Sequence, residues 1–190
     1  MNAPSQRQFL EALVRALDAA GIPYMVCGSL GSSFHGQPRA TNDVDLVISA
    51  TPRQLASFLS ALGEGFYADR DAALQACRST GTFNVIQAET GWKADLILRK
   101  PRPFSHEEFR RRRPADVMGM RLQVVSAEDA ILSKLEWAKE SGSERQFRDA
   151  VGVGLIQRSA LDRGYLSRWA RELGVEGLLA RLWQEVERLA

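Results

Sequence analysis

A small mixed sheet with flanking helices, followed by a C-terminal helical bundle, is the α/β (α+β) architecture that this sequence predicts. Three observations point to it. Short apolar runs of strand length are confined to the first 125 residues, helical stripes at 3/4 spacing are interleaved with them, and from Ser126 onward only helical periodicity remains. The expected division is therefore a core domain over 1–125 and a helical subdomain over 126–190.

In chain order, Leu10, Leu13, Val14 and Leu17 form the apolar stripe of a first helix from about Ser5 to Ala20, stopped by Gly21. "YMVCGS" reads as a short strand, and "LGSSFHG" as a turn leading into a short helix. "DVDLVIS" is a second strand, and "TPRQLASFLSALGE" a helix with proline in its first turn. A short helix follows over 69–80. "TFNVIQAE" and "KADLILR" make a hairpin across Thr90, Gly91 and Trp92. "HEEFRRRRP" reads as helix or loop, and "MRLQVV" as a last strand. Four helical segments then run from "SAEDAILSKLEWAKESG" to "VEGLLARLWQEVERLA".

Composition excludes several classes. Two cysteines, Cys27 and Cys77, offer neither a disulfide framework nor metal-type spacing. No apolar run approaches membrane-spanning length, and the N-terminus lacks a signal-peptide pattern, so a reduced cytoplasmic protein without a membrane partner is expected. The net charge of +2 permits an anionic substrate without requiring nucleic acid.

The chemistry concentrates in "GSLGSSFHGQPRATNDVDLVIS". Side chains alternate along a strand, so Asp43, Asp45 and Val47 share one face and Val44, Leu46 and Ile48 the other. The two carboxylates stand roughly 7 Å apart at Cβ, close enough to repel if desolvated. A divalent cation relieves that repulsion, and Mg²⁺ takes hard oxygen ligands of this kind together with substrate phosphates. The bland alternative is that the acids are turn residues capping a strand. Upstream, Gly28 and Ser29 end a strand where main-chain N–H groups can turn toward an anion. Gly31 keeps the turn open, Ser29, Ser32 and Ser33 add hydroxyls, and Arg39 offers positive charge. Asp95 supplies a third acid, sharing its face with Lys93 and Ile97. If its strand pairs beside residues 43–49, three carboxylates converge, enough for two metal ions and a general base. Otherwise Asp95 is an edge-strand acid facing water.

Gly28-Ser29, then Asp43-Val-Asp45 opening an apolar strand, then Asp95 on a later one, resembles the nucleotidyltransferase fold of the DNA polymerase beta superfamily. Over roughly residues 22–150 the chain more narrowly resembles bacterial abortive-infection-type nucleotidyltransferases, several of which are toxins. The resemblance implies that Gly28 and Ser29 bind triphosphate, that Asp43 and Asp45 ligate two Mg²⁺ ions, and that Asp95 is a third ligand or the base. It further implies that Lys134 meets the nucleotide phosphates, with Asp149 following on the next helix. Without the resemblance, Lys134 is a snorkelling lysine and Asp149 a surface partner of Arg145 or Arg148. Thirteen residues separate Ser29 from Asp43, a longer gap than minimal family members have, and Arg110 to Arg113 match no family role.

Two functions are consistent with these features. The first is Mg²⁺-dependent transfer of an NMP from an NTP to an acceptor hydroxyl on tRNA, other RNA, protein or a small molecule. The second is a non-catalytic module on the same fold that binds nucleotide, RNA or a partner, as one half of a toxin–antitoxin pair. The four arginines at 110–113 read either as a track for RNA phosphates or as a solvated face beside Glu107 and Glu108. His35 reads as a polar turn residue, Trp137, Trp169 and Trp183 as core, and Trp92 as a cover for the sheet or a stacking surface for a base. "SAED" reads as a capping box closed by Ser126 and Asp129.

Overall fold

The computed structural model describes residues 5–38, 41 and 43–190. The chain forms two compact units, one of Met1–Val26 with Thr41–Val124 and the other of Cys27–Ala40 with Val125–Ala190. Residues 27–40, which sequence grounds alone place in the first domain, therefore cluster with the C-terminal helices.

The first unit holds a seven-stranded sheet, ordered β3-β4-β5-β2-β1-β7-β6. Its strands are β1 (Tyr24–Val26), β2 (Asp43–Ile48), β3 (Phe66–Tyr67), β4 (Thr82–Gln87), β5 (Lys93–Leu98), β6 (Arg113–Val117) and β7 (Met120–Val124), with helices α1 (Gln6–Ala19), α3 (Pro52–Ala61), α4 (Arg70–Ser79) and α5 (Pro103–Arg111). Ser5 and Thr51 begin α1 and α3 with capping boxes, each closed by a glutamine three residues on. The predicted β4–β5 hairpin forms, with Gly91 at φ 72° in its turn. On the aliphatic face Val44, Leu46, Ile48, Ala94, Leu96, Leu98, Phe83 and Val85 are buried. Phe9, Leu10, Leu13 and Leu17 of α1 and Leu55 and Phe58 of α3 are also fully buried, each such side chain contributing about 1.5–3 kcal/mol.

Two strands escaped the sequence reading. β3 is only two residues long. β6 carries Arg113, Pro114 and Asp116 and has no apolar alternation, but it pairs antiparallel with β7 from Arg113↔Val124 to Val117↔Met120. The turn between them, Met118-Gly119, has φ of 54° and 72°, the two left-handed residues of a type I′ hairpin. Asp116 Oδ1 accepts from the Gly119 N–H at 3.1 Å and steadies it.

The second unit comprises α2 (Gly28–His35), α6 (Ala127–Ser141), α7 (Glu144–Gln157), α8 (Arg163–Leu173) and α9 (Glu176–Leu189). α7 packs on α6, α9 and α2. Gly36, directly after α2, approaches α7 so closely that a Cβ there would stand 2.8 Å from the Val153 amide nitrogen. Among the described residues, no helix is long and apolar enough to cross a membrane.

Candidate active site

β2 and β5 run side by side and parallel, in a register that pairs Asp43 with Lys93 and Asp45 with Asp95. Directly opposed residues of paired strands project from the same face, so Asp43, Asp45 and Asp95 share one side of the sheet with Lys93. The Lys93 ammonium lies 3.3 Å from Asp95 Oδ1 and 3.7 Å from Asp43 Oδ2. Asn84, opposite Asp95 on β4, donates its side-chain N–H to Asp95 Oδ1 and fixes that carboxylate from the other flank. The patch is open to water, with the Asp43 side chain 54% exposed and that of Asp95 25%. Burial by itself would lower the Lys93 pKa. The hydrogen bond and charge of Asp95, with the weaker pull of Asp43, outweigh it, and the net shift is upward.

Three carboxylates on one solvent-facing surface are the right donor chemistry for a hard divalent cation. Among the described residues, however, no three Asp, Glu, His or Cys side chains are gathered closely enough to hold a metal ion. The positive charge joining Asp43 to Asp95 is Lys93. Its signal was present in the sequence, two residues before Asp95 and so on the same face; Asn84 gave none, because its partner depends on strand order.

Gly28 and Ser29 open α2 in the second unit, immediately after Cys27. Gly28 has φ 56°, a left-handed backbone that costs an L-residue about 1–2 kcal/mol, which accounts for glycine at the strand-to-helix junction. The helix starts without an intervening turn. Its first N–H groups have no intrahelical acceptor, as at any helix N-terminus, until Gly31 N–H reaches Cys27 O at 2.9 Å. Gly31 is thus interior to the helix and buried, not the opener of a turn. Ser32 is also buried, and its hydroxyl donates to Ser29 O at 3.2 Å. Arg39 lies outside the described residues.

Lys134 and Asp149 meet. The Lys134 ammonium donates to Asp149 Oδ2 at 2.9 Å and to Gln146 Oε1 at 2.7 Å, and the two charged side chains are only 6% and 15% exposed. Lys134 is therefore a buried, paired cation and does not snorkel to solvent. Nearby in sequence, Ser126 caps α6 by accepting from the Asp129 N–H, and the Asp129 carboxylate returns to the cap through the Ser126 hydroxyl. It accepts from the Ser126 hydroxyl and from the Tyr165 hydroxyl, both at 2.6 Å, and is fully buried.

Two further expectations are corrected. His35 is the last residue of α2, and its Nε2 lies 2.6 Å from Val125 O, so that nitrogen carries the proton and donates. Burial lowers its pKa, against the opposing effects of this bond and Glu128. Trp137, expected in the core, is 54% exposed, whereas Trp169 is buried and Trp183 is half-buried beneath the Arg163 guanidinium at 3.4 Å. Lys134, three residues before Trp137 on α6, takes the interior position, and Trp137 stands on the outer side of the helix.

No family model and no curated protein sequence matches the chain. Solved structures do. An antigenic nucleotidyltransferase-like protein from Paracoccidioides brasiliensis matches at TM-score 0.62 and 17% identity, covering 95% of this chain and 88% of that one. The antibiotic-resistance factor ANT(2'')-Ia in solution matches at TM-score 0.55 and 15% identity, over 97% and 94% of the two chains. The chain has the nucleotidyltransferase fold. A crystal structure of ANT(2'')-Ia in complex with adenylyl-2''-tobramycin matches at TM-score 0.54 and 14% identity, over 96% of this chain and 99% of that one. At such identities the likeness is one of fold, and the chemistry of this nucleotidyltransferase-fold chain has to be argued from its own residues.

Proposed function

We propose that the chain is a Mg²⁺-dependent nucleotidyltransferase that moves an NMP from an NTP to an acceptor hydroxyl. The observation that carries this reading is the β2–β5 register, which sets Asp45 opposite Asp95 and puts all three acids on one face. Asp43, Asp45 and Asp95 are assigned to magnesium. The three are not gathered into a closed cage, and one or two of them together with the substrate phosphates would hold the ion, which when bound supplies positive charge for the phosphoryl oxygens. The acceptor oxygen attacks the α-phosphorus, the bond from that phosphorus to the pyrophosphate oxygen breaks, and pyrophosphate leaves. Asp95, held by Asn84 and Lys93, accepts the hydroxyl proton.

Gly28 and Ser29 are assigned to the triphosphate, because they open α2 and the N-terminus of a helix favours an anion. Lys134 is assigned to the phosphates as well. An ammonium has three protons, and among the described residues Lys134 gives two of them, to Gln146 and Asp149; the third is left for a phosphate oxygen. Asp149 then acts as the residue that holds Lys134 in place. Arg39 keeps the nucleotide-binding role that the sequence assigns it.

For the acceptor, the adenylyl-2''-tobramycin in the ANT(2'')-Ia crystal structure favours a small-molecule hydroxyl. RNA acceptors and a cognate antitoxin follow only from the resemblance to abortive-infection enzymes. The test is incubation of the chain with each α-labelled NTP, Mg²⁺, and in turn total RNA, total protein and a panel of polyhydroxylated small molecules. Label should pass to one acceptor class, and Asp43→Asn and Asp95→Asn should each lower the rate by about 10²-fold or more. Full transfer by Asp43→Asn would rule the assignment out, and an absence of transfer with intact nucleotide binding would favour the non-catalytic module.

A further inference from the structure

The arginine run at 110–113 has no part in the proposed chemistry, and its members differ in their surroundings. Arg110 forms a two-pronged ion pair with Glu107, at 2.9 Å from Nε to Oε2 and 2.7 Å from Nη2 to Oε1. This is the solvated-face reading, and for Arg110 it is correct. Arg112 is different. Its guanidinium is half-buried and lies 4.1 Å over the Phe109 ring, whose other neighbour is the Arg99 guanidinium at 5.5 Å. Arg112 donates through Nη1 to Phe109 O, while its Nε is buried with no hydrogen-bond partner, and it has no carboxylate partner among the described residues. A half-buried cation beside another cation, with no ion pair among the described residues, is an unfavourable arrangement. The Arg112 pKa is correspondingly depressed, first by burial and then by Arg99.

Arg112 also lines an open cleft of about 320 Å³, together with Asp18, Pro23, Tyr24, Arg110 and Gln123. Tyr24 pairs with Ile48, at the end of β2 opposite the acids and about 17 Å along the strand from Asp43, so the cleft is separate from the candidate active site. The Tyr24 hydroxyl holds its proton more tightly than usual, because of burial and then the charge of Asp18, and so remains a donor. Arg112, whose Nε is buried and whose Nη1 is bonded to Phe109 O, keeps Nη2 for a ligand and lies with Tyr24 and Gln123 along a space of small-molecule size.

We propose that this cleft binds the phosphate group of a small phosphorylated metabolite, with Arg112 as its anchoring cation. A guanidinium pairs with phosphate or carboxylate alike, but a phosphate monoester brings about −1.5 to −2 charges, better matched to Arg112 with the Arg99 guanidinium beside it. Asp18 is exposed at the same cleft and opposes the anion, which gives the proposal a second, opposite-signed handle on a surface residue.

The test is calorimetric titration of the full chain with glycerol 3-phosphate, with succinate and a short RNA oligonucleotide as separate arms. Glycerol 3-phosphate should bind, Arg112→Gln should weaken it by about tenfold or more, and Asp18→Asn should tighten it severalfold. Asp43→Asn should leave this binding unchanged. The proposal is overturned if no phosphate binding is detected, if Asp18→Asn weakens binding or leaves it unaltered, or if Asp43→Asn abolishes it. Succinate binding as tightly as the phosphate ester, or RNA binding through Arg112 while the small ester does not bind, would overturn it too. Since Asp18 is exposed, its variant reports on the cleft even if Arg112→Gln fails to fold.

Discussion

Replacing Lys134 by methionine separates a structural lysine from a purely substrate-binding one. The ammonium and the Asp149 carboxylate are 2.9 Å apart, with side chains 6% and 15% exposed. Removing one member of a buried pair strands the other, at a typical cost of about 3–5 kcal/mol. Asp149 retains some water and has further contacts, so the lower end applies, about 3 kcal/mol. For a chain of this length that corresponds to a fall in Tm of about 6–12 °C. Replacing both residues, as Lys134→Met with Asp149→Leu, removes the stranded charge and should recover most of the loss, because a buried pair and a matched apolar pair are often close in stability. The assay is urea unfolding followed by circular dichroism for wild type, both single variants and the double, with m-values checked for constancy. A coupling of about 2 kcal/mol or more is expected between the two sites. If Lys134→Met is within about 0.5 kcal/mol of wild type, or if the two single losses simply add, the pair does not hold α6 to α7 as described.

Three other outcomes follow from the geometry. Lys93→Met removes the cation joining Asp43 to Asp95, an interaction of about 1 kcal/mol at this exposure, so Mn²⁺ affinity measured by electron paramagnetic resonance should rise about three- to tenfold; unchanged or weaker binding would contradict the patch as drawn. His35 has a depressed pKa in the folded chain, so the unfolded state binds more protons in the interval between that depressed value and about 6.5. Stability should therefore rise with pH through this interval and level off above it, and His35→Gln should flatten the profile in thermal melts; an unchanged slope would contradict the burial of the His35 ring. Asp45→Asn removes one of the carboxylates assigned to the metal while keeping the shape of the side chain, so nucleotidyl transfer should fall by about 10²-fold or more with the circular dichroism spectrum unchanged. Full transfer by Asp45→Asn would contradict the assignment of this carboxylate.

Much of the fold was legible because local signals agreed with it. The stripe of Leu10, Leu13 and Leu17, proline at the start of α3, and glycine at the β4–β5 turn each specify an element within a few residues. β6 was not legible, because its pairing with β7 supplies the stability that Arg113 and Pro114 lack locally, and its turn uses Met118 where an asparagine would have advertised the hairpin. In the candidate site, the shared face of Asp43 and Asp45 follows from strand alternation alone. The place of Asp95 beside them does not, since sequence gives neither the order of strands nor their register. Lys93 illustrates the difference. Its face was readable, but its position between two carboxylates required β5 to lie parallel to β2. Trp137 was misjudged because Lys134, the expected solvent-seeker on that helix, found a buried partner in Asp149.

The register of β2 and β5 is also the strongest reason to treat the acidic face as functional. A slip of one residue would bury Lys93 and Asp95 on the aliphatic side and expose Ala94 and Leu96, so the fully buried pairs Val44↔Ala94 and Leu46↔Leu96 enforce the present pairing. Enforcing it sets Asp45 against Asp95, an arrangement that repels. Apolar residues at 45 and 95 would satisfy the same sheet, yet the chain carries acids at both, with Lys93 and Asn84 bonding Asp95 and further contacts at Asp45. Packing thus fixes the register, and the register gathers three carboxylates on one face of the sheet. A core that enforces this juxtaposition is what the proposed function needs, because it holds the three carboxylates where a cation and substrate would meet them.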